Sequence, residues 1–185
     1  MGLIRPTNFI VPKGTLMMVG RLYTNMISPS GAKLWRRPKL QSEGVVTDIF
    51  AGKLVDTLHN DSAAAAYLMS GKYHSWGTTA GAEAATQTGC LAELYEITNS
   101  DTNRSGGTQT EGSGGYKMYL TSANFTCVYA HKAASDHGGT VKEWCLYCNV
   151  TGALGFDRAL LVTPLEPDVS DILTSTYELT VISGT

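Results

Sequence analysis

The sequence predicts a mainly β (α+β) fold: an antiparallel β-sandwich of about seven strands, with an extended N-terminal arm and one or two helices. Three observations lead to this prediction. Glycine, serine and threonine fill 56 of the 185 positions, while charged residues make up only 16%, a composition typical of turns and short strands. Prolines break up the first 43 residues, and helical periodicity is confined to a short stretch after them. Most of the remaining chain alternates β-branched, aromatic and polar residues.

Residues 1–43 are predicted to form the extended arm, and residues 44–185 the helix plus β-sandwich domain. A proline disfavours helix at the residue before it and cannot donate a hydrogen bond to a central strand. We therefore expect this segment to lie along another surface, either that of its own domain or that of a neighbour. The prolines concerned are Pro6, Pro12, Pro29 and Pro38.

Two helices are predicted directly after the arm. Over residues 44–58, apolar residues recur at three- and four-residue steps, which gives a helix one apolar face. These residues are Val45, Val46, Ile49, Phe50, Leu54 and Leu58. A second, short helix is predicted over residues 62–70. Asp61 or Ser62 can accept its first backbone N–H bonds, and Gly71 suits the position after its last turn.

Seven short strands are predicted for the rest of the domain, because runs of aromatic, β-branched and alternating residues are separated by turn-forming residues. In the last strand, every second residue from Leu173 to Val181 lies on one face, and this face is the better core candidate. The predicted strands are residues 72–76, 91–97, 116–120, 124–132, 140–150, 156–162 and 172–182.

One long segment between the strands has nothing to bury. Residues 99–115 include five glycines and not one aliphatic or aromatic side chain. We expect this segment to be a mobile loop or a hairpin tip at the surface.

Charge and hydropathy exclude several classes of protein. The formal net charge is −2 and the isoelectric point is about 6.1, so no overall positive field attracts nucleic acid or an anionic membrane. No stretch reaches the roughly 18 continuous apolar residues of a membrane span. Arg5 and Lys13, together with two prolines, interrupt the apolar run that a signal peptide needs. We expect no nucleic-acid partner and no membrane partner.

The cysteines are too few for a disulfide scaffold in a chain of this length. Cys145 and Cys148 have the CxxC spacing of zinc and redox sites. Residues three apart in a strand point to opposite faces, and no second CxxC or CxxH pair follows, so neither site is predicted. Buried structural thiols are the main interpretation. A disulfide is the alternative, for which the candidates are Cys90, Cys127, Cys145 and Cys148.

Apart from the CxxC pair, the sequence contains no motif or residue spacing that is typical of a catalytic site. Its serines lack a GxSxG elbow, and its four histidines lack the i, i+4 spacing of a metal-binding helix. Glu143 falls within a predicted strand, where it is either hydrogen-bonded to a neighbouring turn or exposed at a sheet edge. We predict a protein that is not an enzyme and that uses no cofactor and no metal.

Three segments in the first half of the β region match short patterns in order. Residues 72–80, Lys-Tyr-His-Ser-Trp-Gly-Thr-Thr-Ala, are similar to a "KYH…GTG" strand and turn. Residues 91–94, Leu-Ala-Glu-Leu, follow an "L-x-x-E" pattern, and residues 107–112 read GTQTEG.

Three further segments continue the order. Residues 140–147 are similar to "I-x-E-x-G-L-F", with Cys145 in place of the usual glycine, and residues 156–160 to "L-D-R-x-V-F". Residues 171–180 are similar to "D-S-I-x-V-T-Y-E-L-T". Together the six segments resemble a group of bacteriophage structural proteins, often labelled as tail, fibre or capsid-associated. The arm and the first helix match this group less clearly.

The resemblance implies a virion component without catalysis, assembled in the host cytoplasm. Its partners would be itself, as a homo-oligomer, and other virion proteins such as the major capsid or tail proteins. The main hypothesis is a capsid decoration, cement or head-associated protein. One alternative is a fibre-type appendage of the tail or neck.

An arm that wraps a neighbour joins subunits through backbone hydrogen bonds and buried side chains. We expect the assembly contacts of the arm at Phe9, Ile10, Leu16, Met17, Trp35 and Arg36. A further alternative is a carbohydrate-binding β-sandwich module, in which an aromatic ring stacks on a sugar. The candidate rings are Trp76, Tyr95, Trp144 and Tyr147, for which core packing is the commoner role.

Overall fold

Strands dominate the regular structure. The computed structural model describes residues 13, 16–30, 39–42, 45–46, 48–59, 61–69, 71–94, 104–112, 117–127, 139–149 and 155–183. The helices are α1 (Asp48–Leu58) and α2 (Ser62–Met69). The strands are β1 (Leu16–Ile27), β2 (Lys39–Ser42), β3 (Val45–Val46), β4 (Tyr73–Gly77), β5 (Arg104–Glu111), β6 (Lys117–Ser122), β7 (Phe125–Thr126), β8 (Val141–Tyr147), β9 (Gly155–Leu165) and β10 (Ile172–Ser183).

The described strands form one antiparallel sheet in the order β2-β1-β10-β6-β5-β4-β8-β9-β3, with β7 beside β10. The two ends of this sheet meet at Gln41 in β2. The Gln41 side chain accepts a hydrogen bond from the backbone N–H of Thr163 in β9 (3.0 Å) and donates one to Thr24 in β1 (2.8 Å). The predicted mainly β, antiparallel class is therefore confirmed. A two-layer sandwich is not shown, because the sheet curls into a barrel-like shape.

Residues of β1, β4, β6, β8, β9 and β10 form the core inside this sheet. In β10, Leu173 and Tyr177 are buried, whereas the residues between Leu173 and Tyr177 on the other face are partly exposed. The predicted core face is confirmed over Leu173–Tyr177 but not beyond it, where Leu179 and Val181 are partly exposed and the other face is buried at Glu178 and Thr180. Leu22 in β1 and Leu120 in β6 lie opposite Tyr177 in the register and are also buried. The ring of Trp144 in β8 stacks on Tyr177, with centroids 5.3 Å apart.

Within the predicted arm, residues 16–27 lie along the chain's own sheet. β1 pairs with β10 over its whole length, from Leu16 opposite Ser183 to Ile27 opposite Ile172. Pro12 and Pro29 lie outside this strand, one on each side. Every residue of β1 therefore has a backbone N–H that can donate a hydrogen bond. β1 is an inner strand, with β2 on its other side.

The prediction of a surface loop over residues 99–115 is wrong for the residues of this range that the structure describes, 104–112. Residues Arg104–Glu111 form β5, an inner strand that pairs with β4 on one side and β6 on the other. Arg104 and Ser105 are buried. A Cβ at Gly107 would clash with the carbonyl oxygen of Thr121. The strand is thus stabilised by backbone pairing and close approach, which need no apolar side chains.

Both predicted helices are present, but α1 starts later than predicted and buries a different set of side chains. Val45 and Val46 pair with β9 as β3, so α1 begins at Asp48 instead of residue 44. Phe50 is buried, but Leu58 is 79% exposed, which corrects its predicted place on the buried face. Asp61 caps α2 as predicted: its side chain accepts the backbone N–H of Ala63 at 2.8 Å.

Two predicted strands are shorter in the structure. The described part of 91–97 forms no ladder and contributes a single bridge between Gly77 and Glu93. In the predicted strand 124–132, Phe125–Thr126 pairs with β10, and the residues after Cys127 lie outside the described chain.

Candidate functional site

A long segment without regular structure covers the outer face of β4, β8 and β9. We call residues 78–94 the covering loop. Its backbone is attached at several points: Thr78 N–H donates to Ala92, and Gly155 N–H of β9 donates to Thr88 at 2.7 Å. The side chain of Glu83 accepts the backbone N–H of Leu160. The loop is therefore a second layer on this side of the sheet.

Glu143 of β8 holds the end of the covering loop. One carboxylate oxygen accepts the backbone N–H groups of Leu91 (3.1 Å) and Ala92 (3.0 Å). The other accepts Nε–H of Arg158 in β9 at 2.7 Å. Glu143 is fully buried, so of the two alternatives left open by the sequence the structure shows the hydrogen-bonded one and not exposure at a sheet edge.

Arg158 holds the beginning of the same loop. Its Nη2 donates to the carbonyl of Gly81 at 2.9 Å, and its Nη1 donates to the carbonyl of Ala82 at 3.2 Å and to the Gln87 side chain at 2.9 Å. A buried ion pair is favourable when further hydrogen bonds satisfy both charges, and the loop backbone supplies those bonds here. Glu143 and Arg158 thus connect the covering loop to the sheet through hydrogen bonds at both ends of the loop.

Tyr147 lines a depression of about 510 Å³ between the covering loop and β5. The Tyr147 hydroxyl accepts the backbone N–H of Cys90 at 2.7 Å. The Arg104 guanidinium lies 3.3 Å from the Tyr147 ring centroid, and it also bonds the Glu93 carboxylate at 3.1 Å and the Asn149 carbonyl at 2.9 Å. Burial raises the pKa of Tyr147 well above its usual range, so this phenol stays protonated.

A second polar cluster lies inside the barrel-like sheet. Trp144 Nε1–H donates to the Ser175 hydroxyl at 3.1 Å, and that hydroxyl lies 2.9 Å from Nδ1 of His74. Burial lowers the pKa of His74 to about 3, which keeps the imidazole neutral. A serine and a histidine in contact resemble part of a hydrolytic triad. Both are buried, and the hydroxyl is already engaged by Trp144.

Asp157 and Tyr177 form a third buried contact. The Tyr177 hydroxyl donates to one oxygen of Asp157. The other oxygen of Asp157 has no hydrogen-bond partner within the described chain. Burial raises the pKa of Asp157 to about 7, because a single carboxylate in the core is disfavoured when charged.

An open depression of about 660 Å³ lies at one end of the sheet, beside β5, β6 and β10. Its lining is mixed: Met118, Leu179 and Val181 are apolar, whereas Glu111 and Lys117 carry opposite charges. This mixture does not single out one class of ligand.

The structure describes only two of the six predicted assembly residues, Leu16 and Met17. Phe9, Ile10, Trp35 and Arg36 lie outside the described residues. The backbones of Leu16 and Met17 pair with Ser183 and Ile182 at one end of the sheet.

All four cysteines are thiols rather than disulfides. Cys127, Cys145 and Cys148 are buried, and Cys90 is partly exposed. As predicted for an extended strand, the two CxxC residues diverge: Cys145 interacts with Cys90 under the covering loop, and Cys148 with Tyr67 of α2.

Other candidates from the sequence are separated by the fold. His59 is exposed after α1 and His74 is buried, while His131 and His137 lie outside the described chain. Within the part that the structure describes, no cluster of three or more metal-binding side chains is found.

The proposed sugar-stacking rings are also accounted for in part. Trp76, Trp144 and Tyr147 are buried in the structure, so none of the three presents a ring face to a ligand. Tyr95 lies outside the described residues.

Sequence reasoning missed Arg158 and Asp157 as members of the buried clusters. A signal was present: both charges stand side by side in a predicted strand, 156–162, that is otherwise mostly apolar. Charged residues at such positions are rarely buried unless they are paired, so their partners could have been sought in other predicted strands.

Comparisons with protein-family models, with curated proteins and with solved structures found no match. Among the described helices, none has the length and apolar character needed to cross a membrane.

Proposed function

We propose that the chain is a non-enzymatic structural component of a bacteriophage particle. In this proposal it decorates or cements the capsid, or is otherwise associated with the head, and acts by self-association and by docking on other virion proteins. The observation that carries the proposal is the ordered resemblance of six segments to phage structural proteins. These segments contribute to β4, β5, β8, β9 and β10 and to the end of the covering loop. β5, β4, β8 and β9 are consecutive in the sheet, whereas β6 separates β10 from β5.

The side chains within these segments support a rigid body. Glu143 and Arg158 bind each other and connect the covering loop to the sheet. In the core, Tyr177 donates a hydrogen bond to Asp157. These contacts join side chains of the chain to one another and to its own backbone. A subunit that holds one shape while it contacts many neighbours suits a symmetric particle, in which repetition multiplies a weak contact.

Exposed apolar side chains on the helices and strands suit docking. Val55 and Leu58 on α1 are 58% and 79% exposed, and Val162 on β9 is 65% exposed. With only 16% charged residues in the chain, the desolvation cost of covering such a surface is low.

The arm remains the proposed assembly element, and the structure refines how to test it. Deletion of residues 1–40 would remove β1, which pairs with β10 over 12 residues, and would therefore damage the sheet. Deletion of residues 1–12 removes Phe9 and Ile10 and leaves every described strand in place.

The test is an add-back experiment with particles of a phage that encodes this chain, prepared without it. Purified chain is mixed with separated heads and separated tails, and binding is measured by co-sedimentation. We expect the full chain to sediment with heads, and the chain lacking residues 1–12 to bind at least about tenfold more weakly. A Lys53→Ala chain, changed at an exposed helix position, serves as the matched control.

Binding to tails alone would favour the fibre-type appendage over the capsid protein. If the full chain sedimented with neither heads nor tails, the structural role would be refuted. Full binding by the truncated chain would exclude Phe9 and Ile10 from the contact while leaving the role itself intact.

A further inference from the structure

We propose that Cys90 and Cys145 form a redox modification site, a dithiol that a low-molecular-weight disulfide converts into an intramolecular disulfide fastening the covering loop to β8. This inference goes beyond the proposed function and does not depend on it. It specifies one pairing among the four cysteines of the chain.

The covering loop crosses directly above Cys145. Along the outer face of β8, Glu143, Cys145 and Tyr147 follow one another at every second position. The loop is anchored at both ends of this row: Cys90 N–H bonds the Tyr147 hydroxyl at 2.7 Å, and Leu91 N–H bonds the Glu143 carboxylate at 3.1 Å. Cys145 lies between the two anchors.

The two thiols are direct neighbours at this point. The Cys145 S–H group interacts with the sulfur of Cys90. The hydrogen bonds of the Cys90 and Leu91 N–H groups hold this part of the loop over the row of β8 that contains Cys145.

The two thiols differ in access. Cys145 is fully buried, whereas Cys90 is partly exposed and lines the depression beside Tyr147. Cys90 is therefore the member of the pair nearer to solvent, and Cys145 is placed to complete the reaction. Burial raises the pKa of both thiols, so the pair is protonated at neutral pH and reacts slowly.

The other two cysteines are engaged elsewhere. Cys148 interacts with Tyr67 of α2 on the opposite side of the strand, and Cys127 lies near Asp171. Burial raises the pKa of Cys127 to about 12, which makes this thiol a poor nucleophile.

The reaction proceeds by two thiol–disulfide exchanges. The Cys90 thiolate attacks one sulfur of the small disulfide and releases one small thiol, which leaves a mixed disulfide on Cys90. The Cys145 thiolate then attacks the Cys90 sulfur and releases the second small thiol. The two protons of the cysteines end on the two small thiols; the cysteines are oxidised by two electrons and the small disulfide is reduced by two.

The bond would stabilise the chain by restricting its unfolded state. It would close a covalent loop from residue 90 to residue 145, for which we expect the Tm to rise by about 10 °C.

The experiment treats the folded full chain with oxidised glutathione at pH 8 and maps its disulfides by mass spectrometry of unreduced peptides. We expect a peptide pair linked through Cys90 and Cys145, a loss of two hydrogens in the intact mass and the rise in Tm. Cys90→Ser removes the partly exposed thiol and should abolish all three effects. Cys148→Ser is the matched control and should retain them.

The wild-type map decides the outcome even if a variant fails to fold. A stable glutathione adduct on Cys90, a link through Cys127 or Cys148, a dimer linked between chains, or unreacted thiols in the folded chain would each overturn the proposal.

Discussion

At the scale of single residues, the fold depends on buried charges that are paired. Glu143 and Arg158 are almost completely buried and contact each other at 2.7 Å. The Lys53–Asp56 pair on α1 is an exposed counterpart at 3.4 Å, with side chains 37% and 50% exposed. Loss of the ion pair should therefore lower the free energy of unfolding much more at the buried position than at the exposed one.

Glu143→Gln tests this contrast. The substitution keeps the side-chain volume but leaves the Arg158 charge buried without a counter-charge. We expect the free energy of unfolding to fall by about 3–5 kcal/mol, measured by urea denaturation. Asp56→Asn, the matched control, should lower it by less than about 1 kcal/mol. An equal fall in the free energy of unfolding of the two variants would mean that the buried pair does not hold the covering loop on the sheet.

Two buried titratable groups should oppose each other in the pH dependence of stability. The pKa of His74 is about 3 in the fold and 6.5 without it, so between these values the unfolded chain binds the extra proton and stability rises with pH. The pKa of Asp157 is about 7 in the fold and 3.8 without it. Between those values the folded chain holds the extra proton, and stability falls as pH rises.

Single variants should separate the two effects. Relative to wild type, the stability of Asp157→Asn should increase with pH between about 4 and 7, by up to about 1.4 kcal/mol per pH unit. His74→Gln should show the reverse between about pH 3 and 6.5. Urea denaturation at four or more pH values measures both. Parallel curves for wild type and variants would contradict the assignment of these protonation states.

At the scale of elements, sequence patterns predicted most of the strands after residue 70 that bury apolar side chains, but not β1, which lies in the predicted arm although Leu22 within it is fully buried. The alternation in β10 and the cap of α2 by Asp61 could be read directly, because both depend on local residue types. β5 could not, since Gly106, Gly107 and Thr108 present no apolar signal. Its place follows from pairing with β4 and β6, which are distant partners that local composition does not reveal.

A pair of adjacent glycines tests whether β5 is an inner strand. A Cβ at Gly107 would clash with the Thr121 carbonyl oxygen, whereas a Cβ at Gly106 would lie 3.8 Å from the Tyr73 ring. We expect Gly107→Ala to lower the free energy of unfolding by about 1–3 kcal/mol and Gly106→Ala to be tolerated. Thermal unfolding of both variants measures this. Equal tolerance would return the segment to the loop first predicted.

At the scale of the whole molecule, closure of the sheet depends on a side chain. Gln41 joins β2 to β9 and to β1, where no backbone ladder is present between the described parts of β2 and β9. A glutamine in a short strand gives no sequence signal for such a role. For the same reason the sequence predicted a sandwich: strand number and alternation are shared by sandwiches and barrel-like sheets, and the closing contact decides between them.

Gln41→Ala tests the closure. It removes the acceptor of the Thr163 N–H, so hydrogen exchange at Thr163 should become faster, and the free energy of unfolding should fall by about 1–3 kcal/mol. Exchange at the backbone of β4, on the far side of the sheet, should change only as much as global stability does. Unchanged protection at Thr163 would show that closure does not depend on this glutamine.

The central claim, that the chain belongs to a phage particle, is tested most directly by quantitative mass spectrometry of particles purified through a density gradient. The phage must encode the chain, and the lysate serves as the comparison. The account predicts peptides of the chain at a constant copy ratio to the major capsid protein across the particle fractions. Peptides confined to the soluble lysate, and absent from the particle peak, would contradict it.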